Sequence, residues 1–241
     1  MRALRITLRT PRPCILPLAY NELVQGLLYS CWRESLPQLH DAGFGEQGMR
    51  LFTFGPLGGK ASIDGKKRTI RFERLVSLEV RTPVEDLLDE LAAQLAARGV
   101  VRLGAYELQV LNLECCDRLL FPRQARVSMR SAVVAERGLE DGHSLPLAPT
   151  DEGWLDCVRT NAANKAATLG VSCSQELQVI PLSDTLRKRV TRFKGTYVTG
   201  WVGDLILACD PQLLATLYCC GIGAKNSQGF GMFRINDDAL A

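Results

Sequence analysis

GIGAKNSQGFGMFRI, Gly221 to Ile235, places Gly221, Gly223, Gly229 and Gly231 within one short stretch, with Lys225 as its only charge before Arg234. A dinucleotide-binding fingerprint fails on spacing, because Asn226 stands where a third glycine would sit, and on context, because that motif opens a helix after a strand. Here a strand-like MFRI follows, and only six residues remain after it. The P-loop pattern fails as well, since Lys225 lies between the glycines rather than after the last one. A nucleotide-binding metabolic enzyme therefore lacks its motif, and the stretch is a turn between a last helix and a last strand. Exposed amides and unhindered backbone in such a turn suit close approach to a ligand, as at anion-binding nests.

Working backwards from that turn, DPQLLATLYCC has the spacing of a helix, and ELQVIPL and TYVTGWVGDLILAC have that of strands. DEGWLDCVRTNAANKAATLG is a second helix, and RVSMRSAVVA opens the set as a strand. The order is strand, helix, strand, strand, helix, strand, which is the ferredoxin-like arrangement. The first half repeats it. Leu4, Ile6 and Leu8 alternate with Arg5, Thr7 and Arg9 as a first strand, and YNELVQGLLYSCW, Tyr20 to Trp32, follows as a helix ending near Pro37. RLFTFG and TIRFERLVSLEV are strands joined through a hairpin near Asp64 and Gly65. TPVEDLLDELAAQLAARG is a helix capped by Thr82 with Pro83 in its first turn and stopped by Gly99, and YELQVLNLE closes the set. The fold class expected is α+β, two tandem ferredoxin-like (βαββαβ) domains with a C-terminal glycine-rich loop, divided as residues 1–118 and 119–241.

With 241 residues and 46% apolar content, the chain is long enough for one large domain or two small ones of ordinary size, each with its own core. The alternating MRALRITLRT is a strand and not a signal peptide, and no run reaches the roughly 18 apolar residues of a membrane span. Nine cysteines with no CxxC spacing exclude a zinc ribbon or a disulfide framework and fit reduced thiols in a cytoplasm. The net charge of +3 is modest, but its distribution is uneven. LRKRVTRFK, Leu186 to Lys194, carries Arg187, Lys188, Arg189, Arg192 and Lys194 around Phe193. A second basic cluster runs from Gly65 to Arg74, whereas acids gather between Glu136 and Asp156. Arginine makes up 22 of the 29 basic residues, which suits planar contacts to phosphates and bases. The first cluster is the expected RNA-backbone contact, with Phe193 interleaved as an aromatic.

Two ferredoxin-like halves ending in GIGAKNSQGFGMF resemble the CRISPR repeat-processing endoribonucleases of the repeat-associated mysterious protein (RAMP) superfamily. At the front, YNELVQGLLYSCW, then LPQLHDAGF and MRLFTFG, resemble the family's helix, catalytic-histidine segment and second strand. The resemblance implies a metal-independent endoribonuclease, without cofactor, that cuts precursor CRISPR RNA within its repeats. The ribose 2′-hydroxyl attacks the adjacent phosphorus, leaving a 2′,3′-cyclic phosphate and a 5′-hydroxyl. Such chemistry needs proton transfer and positive charge near the phosphorane. The resemblance assigns proton transfer to His40, whose unperturbed pKa of about 6.5 suits it, and places Tyr29 beside it. Arg50 occupies a position where some members carry lysine; as arginine it stabilises charge but does not shuttle protons. Lys60, Lys66 and Lys67 are rivals for that cationic role, Tyr29 has packing in the helix as its alternative, and His143 is read as structural. From the glycine-rich loop, Gly221, Gly223, Lys225 and Asn226, then Ser227, Gly229 and Gly231, are expected at the RNA. The implied partner is CRISPR precursor RNA, with other effector-complex subunits and a homodimer left open and no membrane. A non-catalytic RNA-binding subunit of the same superfamily is the alternative, which a histidine in the matched segment disfavours.

Overall fold

The structure, a computed structural model, describes residues 2–33, 43–45, 47–117, 120–140 and 142–236. The candidate His40 lies outside these residues. In the N-terminal half the chain runs β1 (Arg2–Arg9), β2 (Cys14–Pro17), α1 (Asn21–Trp32), β3 (Thr53–Phe54), β4 (Ala61–Asp64), β5 (Thr69–Phe72), β6 (Leu75–Thr82), α2 (Glu85–Arg98), β7 (Val100–Leu103) and β8 (Tyr106–Asp117). The C-terminal half runs β9 (Gln124–Met129), β10 (Glu136–Gly138), β11 (Ser144–Pro146), α3 (Trp154–Thr168), β12 (Gln178–Pro181), β13 (Arg187–Phe193), β14 (Thr196–Val202), β15 (Asp204–Ala208), α4 (Pro211–Cys220) and β16 (Phe233–Ile235).

Two antiparallel sheets carry the architecture. Their orders are β3-β6-β1-β8-β7 and β12-β15-β9-β16. Each places the first strand of a βαββαβ unit at the centre, between the third and the fourth, so both halves are ferredoxin-like. The helices form because their apolar residues recur at helical spacing and can be buried on one face. In α1 that face is Val24, Leu27, Leu28 and Cys31; in α2 it is Leu87, Leu88, Leu91 and Leu95. The Trp32 indole donates to the Leu87 carbonyl at 2.8 Å, fixing α1 to α2. Gly99 ends α2 in the left-handed region, with φ 62° and its N–H on the Leu95 carbonyl, as its place in the sequence suggests. No helix among the described residues is long and apolar enough to cross a membrane.

Several sequence readings change. Thr82 is the buried last residue of β6 and not the cap of α2, whose N-cap is Val84; its hydroxyl donates to the Leu51 carbonyl at 2.6 Å and accepts from the Val84 N–H. TIRFERLVSLEV is two strands in different sheets, β5 beside β2 and β4, and β6 beside β1. TYVTGWVGDLILAC likewise divides at Gly203, φ 148°, into β14 and β15. β14 pairs with β13 in a two-stranded hairpin outside the ferredoxin-like sheet, so the basic run is itself a strand.

Charge and packing join the halves. Arg81 on β6 is 3% exposed, lies 3.7 Å over the Tyr218 ring and donates to the Phe233 carbonyl at 2.8 Å. Glu79 pairs with both Arg81 and Arg130, each at 2.5 Å. Burial raises the Glu79 pKa, but the two guanidiniums outweigh it and hold the carboxyl below its ordinary value. A buried arginine is tolerated where its hydrogen bonds and counter-charge are both supplied, as they are here.

Candidate functional site

Tyr29 lies late on α1, its ring packed edge-on against Trp32 and Phe52, with centroids 6.1 and 5.9 Å away. Its hydroxyl meets Arg50, which follows the Phe44–Met49 bridge, and Ser227 of the glycine-rich stretch. Burial pushes the phenol's pKa up, against the opposing influence of Arg50 and Ser227. A raised phenol stays protonated near neutrality, able to donate a hydrogen bond. The Arg50 guanidinium also donates to the Gly48 carbonyl. The packing alternative for Tyr29 and the polar one therefore hold together: the ring packs while the hydroxyl faces the cation.

The glycine-rich stretch is not an open nest. Gly221, Gly223, Gly229 and Gly231 all have positive φ and are buried. A side chain at Gly231 would put Cβ 2.1 Å from the Ile222 carbonyl oxygen, and one at Gly223 would put it 2.5 Å from that of Val134. The loop winds around Asn226, 6% exposed, whose amide donates to the carbonyls of Ile222 and Phe230 at 3.3 and 3.0 Å. The Asn226 side chain thus faces inward, and Lys225 pairs with Glu136 at 2.9 Å.

Helix α1 grips the outer side of this loop. Asn21 donates to the Gln228 carbonyl at 2.8 Å and Gln25 to the Ser227 carbonyl at 2.9 Å. Thr53 on β3 donates to the Phe230 carbonyl at 3.3 Å. From the other half, Lys165 on α3 reaches the Gly221 and Gly223 carbonyls at 2.7 and 2.9 Å and Asn226 Oδ1 at 2.6 Å. Burial pushes its ammonium down to about 8. Asn21, Gln25 and Lys165 escaped the sequence reading. Gln25 had a local signal, a polar residue inside the apolar stripe of α1.

A cleft of about 230 Å³ lies between the halves, lined by Asn21 and Gly55 on one side, Arg130, Arg189 and Thr191 on the other, and Phe230 at its floor. The β13–β14 hairpin stands over it. Arg187, Lys188, Arg189, Arg192 and Lys194 are all exposed, and the Lys194 N–H meets Glu22 of α1 at 3.2 Å. Phe193 is 5% exposed, packed with Ala132, Val134, Val198 and Phe230, so it anchors the hairpin and offers no face to a base. The exposed aromatic there is Tyr197, at 71%. Lys60 is paired with Glu73 at 3.2 Å, and Lys66 and Lys67 lie at the exposed β4–β5 turn; none of these contacts Tyr29 in the way Arg50 does. His143 is exposed beside β11.

Residues 119–235 match the family described as CRISPR associated protein Cas6, C-terminal. The match to that family is therefore carried by the C-terminal half of the chain. The fold of the whole chain is that of solved relatives over nearly their whole length. A Cas6-related protein from Pyrococcus furiosus superposes with a TM-score of 0.83 at 17% identity, covering 99% of each chain. A RAMP protein binding different RNA substrates gives 0.84 at 19%, covering 98% of this chain and 100% of the other. A Cas6 product complex gives 0.74 at 15%, covering 98% and 99%. Sequence comparison with curated proteins finds no match. In this chain the glycine-rich loop, α1 and the segment before β3 come together at Tyr29, whose phenol meets Arg50 from one side and Ser227 from the other.

Proposed function

We propose that the chain is an endoribonuclease that cuts CRISPR precursor RNA within its repeats. The reaction is metal-independent transfer in which the 2′-hydroxyl attacks the adjacent phosphorus, giving 2′,3′-cyclic phosphate and 5′-hydroxyl ends. The observation that carries it is the contact of Tyr29 with Arg50 and Ser227, because it brings together a neutral donor, a permanent cation and a loop between the two halves. Arg50 stabilises the charge that builds on the phosphorane oxygens. Tyr29, kept protonated by burial, orients the scissile phosphate. His40, in the chain between α1 and Arg50, transfers the proton. The exposed cations Arg187, Lys188, Arg189, Arg192 and Lys194 track the RNA backbone. The family match agrees with this reading, as do two structural relatives, one a RAMP protein binding RNA and the other a Cas6 product complex.

The test is single-turnover cleavage of repeat RNA in excess EDTA, with affinity measured in parallel. Wild type is expected to cut, and a 2′-deoxy substitution just upstream of the scissile phosphate to bind uncut. His40→Ala is expected to bind normally and lose about 10² to 10⁴ in rate, the usual cost of one general acid or base. Arg50→Lys should recover part of the rate missing in Arg50→Ala. Cleavage by His40→Ala at the wild-type rate removes His40 from the mechanism. Binding without cleavage of any repeat by wild type makes the chain a guide-holding subunit.

A further inference from the structure

The buried stripe of α3 reads Trp154, Val158, Ala162 and Ala166, and Lys165 stands within it at 3% exposure. Its three oxygen partners are two carbonyls and an amide; none is a carboxylate. They converge on the ammonium as they would on a small bound cation. Burying an ammonium without a counter-ion is costly, and an apolar side chain of the same length would fill the space more favourably. The charge therefore needs a reason other than stability.

That reason lies in what the ammonium holds. The Gly221 and Gly223 carbonyls and Asn226 Oδ1 are three points of one loop, and all three need a donor at once. Fixing Asn226 sets the direction of its amide N–H bonds to Ile222 and Phe230. It also sets the next residue, Ser227, whose hydroxyl meets Tyr29 and whose carbonyl accepts from Gln25. From Lys165 to the Tyr29 hydroxyl the connection runs through a single step of backbone.

We propose that Lys165 is a positioning residue for the cleavage reaction: its ammonium holds the glycine-rich loop in the register that presents Ser227 to Tyr29. The proposal rests on the nuclease reading above. Lys165 touches neither the RNA nor the reacting atoms, and it acts through Asn226. Its signature is a slower chemical step with the affinity for repeat RNA kept.

The experiment compares wild type, Lys165→Met, Ser227→Ala and the double variant by single-turnover cleavage at saturating repeat RNA, together with equilibrium affinity and amide hydrogen exchange. Lys165→Met should slow cleavage about tenfold or more, since misplacement by about an ångström can cost up to 10²-fold, with affinity within about threefold. Ser227→Ala should slow wild type but add little in the Lys165→Met background, because both lesions act through one contact. Amides of residues 222–231 should exchange faster in Lys165→Met. A folded Lys165→Met that cuts at the wild-type rate, or effects that multiply, overturns the proposal. If wild type cuts nothing, the nuclease reading fails and the exchange data alone decide on the loop, unchanged protection overturning it. If Lys165→Met does not fold, Asn226→Ala takes its place with the same expected split between rate and affinity.

Discussion

The glycine-rich loop and the β13–β14 hairpin both border the cleft, yet they are built in opposite ways. In the loop the glycines sit at positive φ inside the fold, and Asn226 spends its side chain on three internal hydrogen bonds, accepting from Lys165 and donating to two carbonyls. In the hairpin the five basic side chains reach solvent, and the two strands pair with each other, tied to the rest of the fold through the Val133–Trp201 bridge. The loop has one arrangement to hold, set by contacts from both halves of the molecule. The hairpin has charge to present and little to hold. A reacting centre needs the first design, because its donors must already be in place when charge develops. A surface that tracks a phosphate backbone works with the second, because its energy comes from counter-ion release rather than from fixed geometry.

The hardest blow to that contrast is Gly231→Val. Cβ would sit 2.1 Å from the Ile222 carbonyl oxygen and 2.4 Å from the Asn226 amide, and φ is 74°. Overpacking costs about 1–3 kcal/mol and a left-handed β-branched residue about 1–2 more, so a loss of roughly 3 kcal/mol or more in folding free energy is expected in urea unfolding. Gln228→Val, on the half-buried outer side of the loop, should be nearly silent. Equal, mild effects would reduce the loop to a flexible turn.

Next in size is a pH effect on stability. Burial lowers the Lys165 pKa from 10.5 to about 8. Between those values the unfolded chain binds the proton that the folded chain has released, so stability rises with pH across that window and is flat below it. The neighbouring Cys220 thiol, raised by burial to about 12, pulls the other way above pH 9. In the difference between wild type and Lys165→Met the thiol's burial drops out, and only its coupling to Lys165 is left. The difference should rise from pH 8 to 10.5, by at most about 3.4 kcal/mol at 1.36 kcal/mol per pH unit. A flat difference would mean that the three oxygens hold the proton on as firmly as water does.

How far the sequence carried the reading follows the same division. β1, α1, α2 and the Gly99 stop were legible because each pattern is local: alternation in Leu4, Ile6 and Leu8, helical spacing in Val24 to Cys31, a glycine after the last turn. The hairpin was not, because β13 packs no core face along most of its length and shows charge where alternation would mark a strand. Phe193 was misread for the same reason, as its partners Ala132 and Phe230 are far off in sequence. Lys165 stands in an alanine-rich helix and drew no reading at all. Its three acceptors lie 56 to 61 positions away, and nothing around Lys165 announces them. The glycines themselves stood out, but their cause, the side chain of Asn226 in the middle of the loop, needs the folded chain to be seen.

The smallest effect on folding belongs to the hairpin, where binding should change while stability does not. Reversing Arg187, Lys188 and Arg189 to Glu removes exposed charges, and exposed ion pairs contribute only about 0–1 kcal/mol. The melting temperature should therefore stay close to wild type. Affinity for repeat RNA should fall, and the log-log salt slope should flatten by about 0.7 for each single-strand phosphate that is no longer neutralised. Gly195→Ala supplies the control: its φ is 85°, like those of the loop glycines, but a Cβ there meets nothing within 4 Å. It should cost only the backbone strain of about 1 kcal/mol and leave single-turnover cleavage unchanged. If the triple reversal leaves affinity and slope intact, the RNA runs elsewhere, and the second basic cluster on the β4–β5 turn becomes the surface to reverse. If instead the reversal slows cleavage at saturating RNA while affinity holds, the hairpin shares the loop's role and the contrast between the two regions falls.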